Sequence, residues 1–436
     1  LAAKNNLISS EIKKSYKSFV IILINWGFLG SIIGVFVGST SALLLNVNDL
    51  LTEVRFENPQ LILLLPIGGL IIGFIYTKLG QGSGKGNNLV YEHVHYGQGG
   101  LPLRMGPIVF ISTFITHLLG GSTGREGAAI QMGGSIAESV IRFFNIDFID
   151  RKIFLMTGIS AAFGSAFGTP LAGTIMGMEV VSQGKFKYEG LIPCFIGSFT
   201  GHFVTITLGV QHEHHVIKSV PPIDTITLDK VIVLSIVLAL ASILYSQMRH
   251  GIEKYSRKYL KNLMLRGFIG GTLIVALVYI IGTRDYLGRG LPFLDEAFVG
   301  QISPLAFLAK ILFTAITMGS GFRGGEVIPL FFIGATLGNT LSPIIGLPTS
   351  FLAALGLISV FCGGTNVPIT AFIFSVESFQ GQGATYFFMT CIISYILAGQ
   401  HSVWPSQKLY EPKSRLLNVP PGKTIKDIEE DKKTKE

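Results

Sequence analysis

Glu126 is the residue of this chain best placed to do chemistry. It lies in the run Gly121-Ser122-Thr123-Gly124-Arg125-Glu126-Gly127, after an apolar segment from Met105 to Gly124 and before a helix predicted over Ala128 to Ile136. Glycines let the backbone turn sharply, and a helix that starts beside them leaves its first N–H groups unpaired. Inside a membrane such a break is tolerated only where protein buries it or it lines a cavity. A helix N-terminus attracts anions, and a carboxylate held there competes with one. The chemistry this pattern permits is anion binding in competition with a titratable carboxylate. The plainer alternative is a solvated glutamate in an interfacial loop.

Composition says what must hold this loop. The 436 residues are 49% hydrophobic and only 14% charged, with 53 glycines and a mean hydropathy of +0.54. A soluble chain of this size needs more charge to cover its surface. No charged residue falls between Lys17 and Asp49, Lys152 and Glu179, or Lys230 and Arg249, and each stretch is long enough to span a bilayer core. The stretch between Glu326 and Glu377 is also uncharged but carries Pro329, Pro343, Pro348 and Pro368, which predicts several short or broken helices. The fold class is an all-α polytopic membrane protein.

The formal charge of +8 is no signal for nucleic acid. Its basic residues cluster at Lys13, Lys14 and Lys17, at Arg249, Lys254, Arg257, Lys258, Lys261 and Arg266, and after Lys408. The positive-inside rule places these segments, and both termini, in the cytoplasm. Gln211 to Thr227, whose only Lys or Arg is Lys218, suits the outside. No cleavable signal peptide is expected, because the first apolar run is long and flows into further spans. Cys194, Cys362 and Cys391 lack metal spacing and read as buried thiols.

The chain repeats itself at an offset of 198 residues (323 less 125), which pairs Arg125 with Arg323, Gly121 with Gly319, Ser122 with Ser320 and Gly127 with Gly325. The same offset pairs Gly158 with Gly356, Phe163 with Phe361, Pro170 with Pro368 and Glu179 with Glu377. This is a duplication. Repeats of this length in an apolar chain predict a transporter or channel with its site at the repeat interface, near Gly121–Gly127 and Gly319–Pro329. Cytoplasmic termini, with an odd number of crossings per repeat, would make the repeats inverted.

Gly124-Arg125-Glu126-Gly127, followed by Ile130-Gln131-Met132-Gly133-Gly134, resembles the GREGP segment of the CLC chloride channel and transporter family. Pro170-Leu171-Ala172-Gly173 ending in Glu179 resembles the next family signature, and Gly325-Glu326-Val327-Ile328-Pro329 stands where most relatives have GIFAP. The likeness runs from about residue 19 to 411. It implies a CLC-type fold of tilted, broken helices in two inverted-topology repeats, and a homodimer whose subunits each carry an anion path gated by the motif glutamate. It divides the chain into a cytoplasmic segment 1–18, a transport domain 19–411 with halves near 19–210 and 227–411, and a polar tail 412–436 too short for a regulatory domain.

Departures from the family pattern choose a branch. Asn87 stands near the family's anion-facing loop serine, and Val180 follows Glu179 where exchangers of chloride and protons carry a second, inner glutamate. Glu326 replaces an apolar residue, Ala128 replaces the motif proline, and Trp404 stands near the family's pore-lining tyrosine. Asn87, Val180 and Glu326 together resemble the fluoride/proton antiporter branch, with fluoride export from the cytoplasm driven by the proton gradient across a plasma membrane. The resemblance implies Glu126 and Glu326 as gating and proton-carrying groups, and Asn87, Gly124, Arg125, Gly127, Val327, Ile328 and Trp404 as the anion site. Fluoride holds its water tightly and accepts strong hydrogen bonds, so a carboxamide at Asn87 and amides at Val327 and Ile328 suit it. With Val180 unable to carry a proton, water or Glu326 would serve the inner route. The alternative on the same fold is a chloride/proton antiporter or a chloride channel.

Other signals fall away. Gly82-Ser83-Gly84-Lys85-Gly86 lacks both the glycine and the Ser or Thr of a phosphate loop, since Leu79 and Gly86 stand there. His212-Glu213-His214-His215 lacks H-E-x-x-H spacing, and Glu92, His93 and His95 read as lying near a membrane surface. No cofactor or metal is expected, and without a nucleophile–base pair the chain reads as no enzyme. Glu179 and Glu377 are candidates for helix-capping carboxylates, and Glu326 has the same plainer reading.

Overall fold

The computed structural model describes residues 2–96, 100–213, 215–413 and 421–428, with side chains from residue 20 onward. Among the described residues, the α-helices form two sets of eight. The first set is α1 (Ala2–Glu57), α2 (Leu65–Leu79), α3 (Asn87–Tyr96), α4 (Met105–Leu118), α5 (Glu126–Phe143), α6 (Phe148–Phe167), α7 (Pro170–Glu179) and α8 (Leu191–Thr207). The second set is α9 (Thr225–Tyr259), α10 (Leu263–Ile281), α11 (Leu291–Val299), α12 (Ala306–Gly319), α13 (Val327–Ile345), α14 (Thr349–Thr365), α15 (Pro368–Ser378) and α16 (Ala384–Leu397). Among the described residues, six helical segments are long and apolar enough to cross a membrane, by length and composition.

Local sequence explains the breaks. The uncharged stretch from Lys152 to Glu179 is two helices, because Gly168 turns left-handed (φ +72°) and Pro170 opens the next one. Glu326 to Glu377 divides into α13, α14 and α15, as its prolines predict, while Pro343 stays within the last turns of α13. The helix expected from Ala128 starts two residues earlier, at Glu126, and runs on to Phe143. α1 already begins at Ala2 and runs on without a break into the first apolar stretch. Part of the expected tail also docks. Lys423–Thr424 pairs with Lys408–Leu409, which pairs in turn with Ser182–Gln183, and Ile425 and Ile428 pack with Leu409.

The two sets are related by a two-fold axis that the contacts themselves reveal. Repeat mates touch each other: Gly69 of α2 meets Gly267 of α10 backbone to backbone, and Phe163 stacks on Phe361 with ring centroids 6.3 Å apart. A residue can contact its own mate only on such an axis. Off the axis, contacts come in exchanged pairs. Glu179 accepts from the N–H groups of Ile369 (3.0 Å) and Thr370 (2.7 Å), and Glu377 accepts from those of Leu171 (2.9 Å) and Ala172 (2.7 Å). Two-fold packing of this kind is what the expected inverted-topology repeats require.

Their register shifts at the centre. Gly124 pairs with Gly325 in an isolated antiparallel bridge, an offset of 201 rather than 198 (325 less 124). The close pairs Gly133/Gly158 and Gly334/Gly356 keep the same two offsets in α5/α13 and α6/α14. The mate of Arg125 is thus Glu326, and the expected pairing of Arg125 with Arg323 is corrected. A three-residue slip before the loop restores the hydrogen-bonded meeting of the halves.

Candidate anion and proton site

The site is built on that bridge. Gly124 N–H donates to the Gly325 carbonyl (2.7 Å), and Gly325 N–H returns the bond (2.5 Å). His117, fully buried on α4, holds the same strand: its Nε2 lies 3.1 Å from the Gly124 carbonyl oxygen and so carries the proton. The Thr123 hydroxyl donates to the Gly325 carbonyl (2.8 Å), and the Ser122 N–H donates to Thr317 Oγ1 (3.2 Å). Each contact ties the first half to itself or to the second, so the loop is fixed despite its glycines.

Two helices start at the bridge, α5 with Glu126 as its first residue and α13 directly after Glu326. Among the described residues, no carbonyl takes the N–H groups of Glu126, Gly127, Val327 or Ile328. Both helix starts therefore bring N–H groups without carbonyl acceptors to one point, the arrangement that attracts anions, and the Glu126 carboxylate itself takes the N–H groups of Arg125 and Glu126. Glu126 is 2% exposed, and its Oε2 has no hydrogen-bond partner among the described residues. That oxygen fills space that only glycine leaves: a Cβ on Gly325 would come 2.9 Å from it, and one on Gly124 closer still. On the side of the bridge the seat is walled by glycine backbone.

Asn87 begins α3, and its carboxamide nitrogen would lie 3.4 Å from a Cβ on Gly127. Among the described residues its buried Oδ1 finds no partner, and neither does the hydroxyl of Tyr91 one turn further along the same helix face. Gln131 donates to the Gly127 carbonyl (3.1 Å) and leaves its Oε1 unpartnered. A buried polar atom left without a partner costs about 1–3 kcal/mol, so the chemistry of this cluster suits a water or a small ion. Trp404 is buried with its ring edge-on to Tyr91, centroids 5.6 Å apart. Val180 is buried as well, and its carbonyl accepts from the Gln407 carboxamide (2.9 Å).

Glu326 is brought to the bridge by chain position, yet its side chain is engaged elsewhere. Its Oε1 accepts from Arg249 Nε (2.9 Å) and from the Tyr245 hydroxyl (3.2 Å), both on α9. Arg249 also pairs with Glu253. Arg125, the mate of Glu326, turns away likewise and donates to Asp49 Oδ1 (2.7 Å) and the Leu45 carbonyl (3.1 Å).

On the face that carries the loop before α9, a cavity of about 60 Å³ opens beside Glu126, lined by Arg125, Arg289, His212, Glu213 and Ile328 among others. Arg289 escaped the sequence reading. It lies in Gly288-Arg289-Gly290, two left-handed glycines around one charge, and that local signature could have drawn attention to it. His214 lies outside the described residues, and His212, Glu213 and His215 belong to this cavity. No group of three or more metal ligands occurs among the described residues.

A sequence model of the voltage gated chloride channel family matches residues 68–399. The chain belongs to this family, the CLC proteins. Like other CLC members it is a multi-pass membrane transporter or channel, and its helices follow their fold. It is 37% identical over 390 residues to the chloride/fluoride channel protein of Pseudomonas syringae pv. tomato, covering 88% of this chain and 86% of the relative. Among solved CLC structures, the crystal structure of a CLC-type fluoride/proton antiporter superposes with a TM-score of 0.86 at 30% identity, covering 89% of this chain and 98% of that one. A slow cyanobacterial Cl⁻/H⁺ antiporter superposes at 0.71 with 19% identity over 87% of this chain and 93% of its own, a likeness of fold alone.

Proposed function

We propose that this CLC protein exchanges fluoride for protons and exports fluoride from the cytoplasm, with Glu126 as the group that handles both ions. The observation that carries the reading is the Glu126 carboxylate itself. It is buried, has an unpartnered oxygen and lies between the Asn87 carboxamide and the cavity of Arg125 and Arg289. Ionised, it takes the seat of an anion at two helix N-termini. Protonated, it loses the charge that holds it there and yields the seat. One residue then serves an anion and a proton in turn, which couples their movement in opposite directions.

Fluoride is favoured over chloride by the donors at hand. Asn87 offers a carboxamide N–H₂ and α13 offers the amides of Val327 and Ile328, in the small space that glycine walls leave. The named activities of the chloride/fluoride channel protein and of the fluoride/proton antiporter support the same ion. With Val180 unable to titrate, the inner proton route runs through water or through Glu326 and Tyr245. The functional unit is a homodimer in the plasma membrane with both termini in the cytoplasm, so the cavity of Arg125 and Arg289 faces outward.

The test is efflux from proteoliposomes loaded with fluoride or chloride, with external pH followed at the same time. Fluoride efflux matched by proton uptake, lost from proton uptake in Glu126→Gln, is the expected outcome. Chloride efflux at a comparable rate would replace fluoride by chloride as the cargo, and proton coupling that survives E126Q would sink the role of Glu126.

A further inference from the structure

Beside the Glu126 seat, two guanidinium groups meet in the cavity. Arg125 and Arg289 are each 6% exposed, and both bind Asp49 Oδ1, Arg125 at 2.7 Å and Arg289 through its NH2 group. Arg289 also pairs with Glu213 Oε1 (3.0 Å). The cations are buried while their counter-ions are not: the Asp49 and Glu213 side chains keep 44% and 38% of their exposure. Arg289 Nε, buried, has no acceptor among the described residues. Lys310 explains why Arg289 stays put, since its fully buried ammonium donates to the carbonyls of Tyr286 (3.1 Å) and Gly288 (2.8 Å) and so fixes the loop.

Two buried cations that share one half-exposed carboxylate form an anion site with a removable plug. Taking a guanidinium out of water costs several kcal/mol unless a counter-charge stays close, so the pair always needs an anion. Asp49 and Glu213 supply it from side chains free to swing into solvent. The cavity volume of about 60 Å³ is several times the roughly 10–15 Å³ that one water needs. It admits a small halide with some of its water.

We propose that Arg125 and Arg289 form an outer anion station, next after Glu126 on the path, which Asp49 and Glu213 occupy when it is empty of anion. The carboxylates keep the arginines neutralised and are displaced by the ion that leaves the Glu126 seat. The station rests on an anion path through Glu126 and is independent of which halide travels it.

The test is calorimetric titration of the detergent-purified protein with sodium fluoride and, separately, sodium chloride. Asp49→Asn removes the internal competitor and is expected to tighten halide binding at least fivefold. Arg289→Gln added to D49N is expected to abolish that gain, and Arg289→Lys, which keeps the charge but not the planar fork, to reduce it at least threefold. Crystals of D49N grown in bromide should show anomalous density between the two guanidinium groups. Unchanged affinity in D49N, or bromide absent from the cavity, overturns the station. Should R289Q fail to fold, D49N and R289K carry the comparison. Failure of fluoride–proton exchange in vesicles would sink the function proposed above and leave these binding results standing.

Discussion

Glu179 and Glu377 cap each other's helices. Glu179 closes α7 and binds the first N–H groups of α15, while Glu377 lies at the end of α15 and binds those of α7. Both helices begin with proline, so each has one donor fewer to satisfy. The Thr370 hydroxyl adds a third bond to Glu179 (2.6 Å). Each carboxylate lies at a positive helix end inside the protein and serves as structure.

Removal of either cap therefore acts on stability. Glu179→Ala and Glu377→Ala should each cost about 0.5–2 kcal/mol, the range for lost N-caps, read as a lower melting temperature in detergent. The proton-to-anion ratio should stay that of the parent. A changed ratio in E179A with stability intact would give Glu179 a place in transport after all.

The pair Arg249–Glu326 responds differently to its two ends. Removal of the cation leaves a buried carboxylate with only the Tyr245 hydroxyl, and breaking a buried pair costs about 3–5 kcal/mol. Arg249→Met should thus destabilise strongly, whereas Glu326→Gln, which keeps an acceptor for both donors, should cost less than about half as much. The double variant R249M/E326Q should recover part of the loss. Thermal unfolding of the three proteins decides the matter, and equal losses in both single variants would mean that the pair contributes little.

Gly124 and Gly325 matter through the volume they do not fill. Gly124→Ala sets a methyl group against Glu126 Oε2 and near Ile328, so the carboxylate must leave its seat. Exchange in vesicles should fall at least tenfold, with any residual anion flux no longer matched by protons. Coupled exchange at the parent rate would show that Glu126 does not need this seat.

Lys413 provides a pH dependence outside the membrane-spanning segments. Its ammonium donates to Asn366 Oδ1 (2.5 Å) and the Tyr395 carbonyl (2.6 Å), and burial pushes its pKa down to about 7. An exposed lysine titrates near 10.4, so between these values the undocked segment binds more protons than the docked one. Docking of residues 408–413 should therefore tighten as pH rises from 7 towards 10 and be constant below 7. Amide exchange in that segment, corrected for its intrinsic pH dependence, should show rising protection; falling protection over the same range would refute the assignment.

Much of the fold was legible because apolar spans and punctuating prolines are local signals. Uncharged stretches marked membrane segments, Pro170 and Pro368 marked helix starts, and the offset of 198 marked the duplication. The centre was misread in register because identical residues, Arg125 and Arg323, outweighed a hydrogen-bonded match between Gly124 and Gly325 that carries no side-chain signature. The partners of Glu326 were invisible for another reason. Arg249 stands 77 residues away (326 less 249), and only the packing of α9 on α13 brings the two together. Asp49 and Arg289 are likewise joined by folding alone. Sequence marks where charges sit, and tertiary structure decides which ones meet.

The bridge between Gly124 and Gly325 also limits how this machine can move. Any rocking that parts the halves at their centre must break two backbone hydrogen bonds in a place sealed from water, where no solvent stands ready to replace them. Motion that keeps the seam shut must take place away from it or in side chains. On the exchange proposed above, the smallest such motion is a single carboxylate swinging about its own torsions beside two fixed strands.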